Sequence, residues 1–200
     1  MKQIYARARE SLGTLRNLVW SHEEQPIFVL PLAGIELGDA PRIMRRNDHH
    51  DLAKYRQAES WQSDRHEFLE RAKNRLEAGQ HVYTFAPEDQ LLHYGWLMQS
   101  PPEFAYPEVQ RLRPLGPHET GVLYDFYTLP DARGRGLYQS GVREMLCDLS
   151  EDSQIKEAYV SVGPENHASR HVIEKAGFDY CGSIVHRRVF GFRTRRLEST

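Results

Sequence analysis

Cysteine is scarce in this chain, long apolar runs are missing, and neither sign of charge dominates. The two cysteines among 200 residues, Cys147 and Cys181, fall in segments that read as helix and strand. They read as buried thiols rather than a disulfide, and a chain of this length buries enough core to need neither a disulfide nor a structural metal. No uninterrupted apolar stretch approaches the roughly 20 residues that span a bilayer, so no transmembrane segment is expected. The formal net charge of −2 lacks the basic field that counterion release requires, which argues against a general nucleic-acid binder. The opening MKQIYARARESLGTLRNLVW carries charge throughout and has no apolar core of the signal-peptide kind. A reducing, cytoplasmic setting is the expectation.

What is present is patterned. Residues 1–25 read as a basic amphipathic extension, with Ile4, Ala8, Leu12, Leu15 and Val19 at helical spacing among arginines. Such a stripe could cover the domain, pair with a second copy in a homodimer, or lie on an anionic membrane surface; packing is the simplest use. Residues 26–200 read as one domain. A short apolar strand, QPIFVLPLAGI, is broken by Pro31, and a helix capped by Asp48 follows over DHHDLAKYRQAES. SDRHEFLERAKNRLEAGQ predicts a stronger helix, with Ser63 as N-cap and Gly79 as its stop. HVYTFAPEDQLLHYGWLMQ predicts two strands joined at Pro87–Asp89, and a proline-rich loop with a short strand near Val109–Leu112 comes next. GVLYDFYTL, LYQSGVREMLCDLSE, IKEAYVSV, NHASRHVIEKAG and FDYCGSIVHRRVFGFRTRRLE then read as strand, helix, strand, helix and strand. The fold class is α/β: a mixed sheet with helices on its faces.

The stretch TLPDARGRGLYQSGVREML places Gly134 and Gly136, interleaved with Arg133 and Arg135, where a strand gives way to a helix. A helix start offers unpaired amides and the positive end of its dipole, and glycines let an anion approach without a Cβ in the way. Guanidinium forks suit phosphate oxygens. The alternative is an exposed loop with solvated arginines. Two phosphate loops are excluded: no Lys-Ser or Lys-Thr follows the glycines, and the third glycine and later acidic residue of a dinucleotide fingerprint are not in a βαβ context.

Further on, VSVGPENHASRHVIEKAGF ends a strand, opens a helix at Asn166 and closes it before Phe178. Together the two stretches resemble the GNAT superfamily of acetyl-CoA-dependent N-acetyltransferases. Pro130, Arg133, Gly134 and Gly136 match its pyrophosphate motif. Asn166, Ser169, Glu174, Lys175, Gly177 and Phe178 match its second motif. The resemblance implies a mostly antiparallel sheet splayed at its centre, with an N-terminal helical extension added here. It implies acetyl-CoA as cosubstrate and no metal. Backbone groups near Tyr127, Thr128 and Leu129 would hold the pantetheine arm. The amides of Arg133, Gly134, Arg135, Gly136, Leu137 and Tyr138 would hold the pyrophosphate, with Asn166 and Ser169 alongside the arm.

Two departures bear on chemistry. Tyr138 stands where the loop motif has a small residue, and it either alters the loop or presents a phenol. The helix tyrosine that many members use to protonate the leaving thiolate corresponds here to Ile173. A thiol of pKa near 8.5 needs only modest help to leave.

Acetyl transfer to an amine requires the neutral amine, hence a base or a water chain. Asp125 alternates with Tyr127 on one strand, so both side chains can share a face. Asp125 is the leading base, the alternative being a carboxylate that organises a turn. His93, on the neighbouring strand, could serve instead or could make a cross-strand hydrogen bond. Asp48-His49-His50 lacks a third ligand at usable spacing and reads as a capped helix start. HRRVFGFRTRR reads as an outer strand face, with an arginine able to meet an anionic substrate. The HYGW and YDFYTLPDARGRGLY segments are similar to members of bacterial surface-polysaccharide pathways. This points to an amino sugar, for which ten tyrosines and three tryptophans offer stacking surfaces. The alternatives are an amino acid, peptide or antibiotic amine, or an acyl-CoA-binding module without catalysis.

Overall fold

A computed structural model describes residues 20–103, 105–110, 115–189 and 192–198. The predicted N-terminal helix and the break at Gly191 lie outside the described residues. The chain order is β1 (Trp20–Pro31), β2 (Arg45–Arg46), α1 (His49–Ala53), α2 (Arg65–Glu77), β3 (His81–Phe85), β4 (His93–Gln99), α3 (Pro107–Gln110) and β5 (Thr120–Thr128). Then come α4 (Leu137–Glu151), β6 (Glu157–Ser161), α5 (His167–Lys175), β7 (Asp179–Val189) and β8 (Phe192–Glu198). The strands form one eight-stranded sheet in the order β2-β3-β4-β5-β6-β1-β7-β8. Among the described residues, only the pairing of β5 with β6 is parallel.

That parallel pairing is short. Thr120–Leu123 runs beside Glu157–Val160, after which β5 continues to Thr128 bonded to β4 alone. The sheet therefore opens between β5 and β6, giving the centrally splayed α/β sheet expected from the resemblance. A gap there exposes backbone that would be paired in a continuous sheet, so it needs a local cause or an occupant. Two helices pack over one face of the sheet there. Val142, Met145, Leu146 and Leu149 of α4 and Ile173 of α5 are fully buried against Leu97, Leu123 and Phe28. Fully burying each such side chain contributes about 1.5–3 kcal/mol. On the opposite face α2 sets Phe68 and Ala72 against Tyr94, Trp96 and Tyr127.

The segment before α1 is fastened to α4 by charge. Arg42 and Arg46 pair with Asp148 at 2.5 and 2.9 Å, and Asp148 also accepts from Tyr83 Oη at 2.5 Å. Glu144 accepts from the Ile43 and Met44 amides.

Several expectations shift. β1 begins at Trp20, so residues 20–25 belong to the sheet and not to the basic extension. Asp48 caps α1, accepting from Asp51 N at 3.1 Å, but the helix runs only five residues. The N-cap of α2 is Asp64, which accepts from Glu67 N at 2.9 Å; Ser63 lies one residue too early. The segment read as a strand near Val109 is the short helix α3 up to Gln110, with Val109 buried on Tyr106 and Tyr159, and 111–114 lies outside the described residues. Cys147 and Cys181 are partly buried thiols outside any disulfide, and Cys181 Sγ donates to Ile27 O at 3.4 Å.

Candidate active site

β5 carries an irregularity where the site forms. Tyr94 pairs with Tyr127 and Trp96 with Tyr124, so Gly95 faces two residues, Asp125 and Phe126. Asp125 takes the left-handed conformation, φ 49°. This is a β-bulge, which re-aims side chains and increases local twist. Alternation alone would have set Asp125 and Tyr127 evenly on one face. With the bulge, Asp125 still faces α2, the side on which Tyr127 is buried, and its carboxylate pairs with Arg75.

Beyond Thr128 the chain turns through Pro130–Ala132 into the glycine loop. Gly134 and Gly136 have φ of 77° and 76°, left-handed values that side-chain-bearing residues adopt at a cost. A Cβ at either would meet nothing within 4 Å, so the loop stands open. Gly136 is the N-cap of α4, and Ser140 N donates back to it at 2.9 Å. No acidic residue occupies the first turn of α4. Its leading amides and dipole therefore face the opening without a competing carboxylate.

Two cavities meet at this point. The larger, about 610 Å³, is bounded by Trp61, Tyr127, Thr128, Arg133, Gly134 and Gly136 at one side and by Asn166, Ser169 and Val172 at the other. The smaller, about 280 Å³, is lined by Gln25, Tyr106, Tyr124, Asp125 and Ser161. Phe126, Tyr138, Asn166 and Ser169 belong to both. Thus the two sequence motifs form one groove, and Asp125 lies in the chamber beyond it.

The expected site residues divide. Thr128, Arg133, Gly134, Gly136, Leu137, Tyr138, Asn166 and Ser169 line the larger cavity. Asn166 also caps α5, its side chain accepting from Ser169 N at 3.1 Å. Leu129 does not join them: its amide donates to Leu92 O at 2.9 Å and its side chain is buried on the α2 side of the sheet. Arg135 turns away to donate to Asp131 O at 3.0 Å, bordering a separate cavity of about 490 Å³. Arg133 faces the groove but is engaged, donating to Glu59 at 3.0 Å and to Thr128 O at 3.2 Å. Tyr127 Oη also donates to Glu59, at 3.3 Å.

His93 stands apart. It is fully buried under α4, with Nδ1 2.7 Å from Thr128 Oγ1 and Nε2 without a partner. It lines neither cavity. Burial pulls its pKa down to about 3, because desolvation penalises the imidazolium. The cross-strand hydrogen bond is its role, and it is not placed to act as the base. Ile173 is likewise buried in the core and offers no acid. Tyr138 offers one. Its hydroxyl shares a hydrogen bond with Ser169, and burial raises the phenol pKa to about 12, with Ser169 partly offsetting.

Glu59, Trp61, Arg75 and Tyr106 were not singled out from the sequence. They lie far from the motifs in the chain.

A family model described as "Acetyltransferase (GNAT) domain" matches residues 30–179. The chain belongs to the GNAT family. The match spans both cavities' principal walls, from β1 to the start of β7. Among solved structures, the GNAT chain is similar to a GCN5-related N-acetyltransferase from Sphaerobacter thermophilus (12% identity, TM-score 0.56, covering 89% of this chain and 55% of that one). It is similar to a GNAT-family acetyltransferase from Colwellia psychrerythraea (16%, TM-score 0.55, 91% and 57%). It is also similar to the glucosamine N-acetyltransferase region of a fungal multi-domain GH3 β-N-acetylglucosaminidase (12%, TM-score 0.55, 88% and 22%). At these identities the likeness is one of fold, and the chain spans less than two thirds of each of those proteins. No curated protein matches it.

Proposed function

We propose that this GNAT domain transfers an acetyl group from acetyl-CoA to a small-molecule amine. The observation that carries the reading is the junction of the two cavities at Phe126, Tyr138, Asn166 and Ser169. The open glycine loop lies on one side of that junction and the Asp125 carboxylate on the other. The loop suits a pyrophosphate: two left-handed glycines with free space over them lead into a helix start without acidic residues. Bound acetyl-CoA would supply an acetyl thioester, whose carbonyl carbon accepts the amine nitrogen as the C–S bond breaks. Tyr127 and Thr128 bound the groove where β5 leaves β6, so their free backbone edge is available to an extended arm.

The protein's own groups then handle two protons. Asp125, in the acceptor chamber, takes the proton that nitrogen loses, directly or through water. Tyr138 Oη keeps its proton at neutral pH and would be available to donate a hydrogen bond to the departing thiolate. The chamber sets tyrosines Tyr106, Tyr124 and Tyr138 around a volume of about 280 Å³, which fits an amino sugar stacked on an aromatic face.

A thioester-cleavage assay over amino sugars, amino acids, peptides and antibiotic amines tests the reading. Turnover with amino sugars is expected; a preference for another group on that panel corrects the acceptor and leaves the chemistry standing. Acetyl-CoA is also expected to raise the thermal midpoint, because a ligand of the folded state stabilises it by mass action. Gly136→Asp sets a carboxylate against the phosphates and abolishes that shift. Equal stabilisation of the variant overturns the assignment of the loop.

A further inference from the structure

Asp125 is not a lone carboxylate. Arg75 reaches it from α2, and the same guanidinium lies 5.0 Å from the ring centres of both Trp96 and Tyr124. The arginine side chain is 21% exposed and Asp125 34%. Two aromatic faces fix the guanidinium before any ligand arrives. A left-handed bulge position aims the carboxylate at it, and strained backbone of this kind persists only where surrounding contacts hold it. Other groups near Asp125 are the phenols of Tyr55, Tyr94 and Tyr124, and Arg71, which neighbours the first two, is engaged with Ser63 Oγ at 2.8 Å. Tyr106 and Tyr138 lie across the chamber.

This pairing bears on a conflict in the chemistry. A carboxylate draws an ammonium into the chamber, yet the same charge holds the proton on nitrogen, whereas attack needs the neutral amine. An arginine beside the carboxylate offsets its charge while leaving an oxygen free to accept. We propose that Arg75 is a positioning residue for the acceptor: it holds Asp125 at the bulge and weakens its grip on the ammonium, so that the bound amine gives up its proton nearer neutral pH. The proposal rests on the reading of the smaller cavity as the acceptor chamber.

Benzylamine is the probe, having one primary amine and a ring to meet the chamber tyrosines. Its binding is followed by NMR between pH 6 and 10, where no turnover is needed. In Arg75→Gln the carboxylate is uncompensated. The protonated probe is expected to bind tighter, and the pH at which the bound amine loses its proton is expected to rise by about one unit. The pH profile of acetyl transfer should move alkaline by the same amount. Arg75→Lys, which restores the charge, should return both toward the wild type. If Gln fails to fold, Arg75→Met keeps an apolar stem against the two rings and loses the charge. Neutral variants with weaker transfer but an unmoved pH profile reduce Arg75 to a structural anchor and overturn the proposal. No benzylamine binding to the wild type, or binding unaffected by Asp125→Asn, instead removes the acceptor-chamber reading beneath it.

Discussion

A methyl group at Gly141 would stand 2.9 Å from His93 Nε2, inside van der Waals contact. Helix propensity favours Ala over Gly by about 0.8–1 kcal/mol. The buried ring cannot withdraw, because Thr128 holds its other nitrogen. Gly141→Ala is therefore expected to lower stability by about 1–3 kcal/mol, the usual penalty for overpacking; a denaturant midpoint equal to or above the wild type contradicts this packing. At Tyr138 the expectation concerns rate. Tyr138→Phe keeps the ring edge-on to Phe126, at 4.8 Å between centroids, and removes only the donor. Turnover should fall by up to about a hundredfold, modest for acid catalysis because a thiolate leaves readily, with the KM for acetyl-CoA little changed. An unaltered turnover rate would show that the leaving sulfur does not depend on this hydrogen bond.

At the scale of elements, caps and pairings decide where the site residues point. Asp64 holds the start of α2, the helix that carries Arg75. Asp64→Ala should cost about 1 kcal/mol, a fall of about 2–4 °C in Tm for a chain of this size. Ser63→Ala should cost less, since the Ser63 hydroxyl does not cap α2 and receives Arg71, while its carbonyl keeps the bond from Tyr55. Calorimetry on the two variants separates the positions. The glycine-loop start of α4 was legible because its residue types are unusual and local. The two-for-one opposition of Asp125 and Phe126 with Gly95 was not, since a bulge is a property of how two strands meet.

Across the whole molecule, His93 couples stability to pH. Its folded pKa of about 3 lies below the ordinary value of 6.5. Below pH 6.5 the unfolded chain binds a proton that the folded chain refuses, so stability falls as pH falls from 6.5 toward 3, by at most about 1.4 kcal/mol per unit from this group. Above 6.5 the group contributes no slope. Urea midpoints measured from pH 7 to pH 4 should decline in the wild type and decline less steeply in His93→Gln; parallel slopes would show that His93 is not the buried neutral group described.

Local chemistry determined much of this protein directly from the sequence. The amphipathic stripes of α2 and α4, the Asn166 cap of α5 and the Gly134–Gly136 turn all depend on neighbours within a few residues, so the chain carries their instructions in contiguous stretches. Only the tertiary structure decided that β5 leaves β6 after Leu123, and that Leu129 and Arg135 turn from the groove. It alone buried His93 beneath Gly141 and brought Arg75, fifty positions away, to Asp125. Those outcomes depend on which surfaces lose water together and which charges then meet, and a linear pattern does not record such distances.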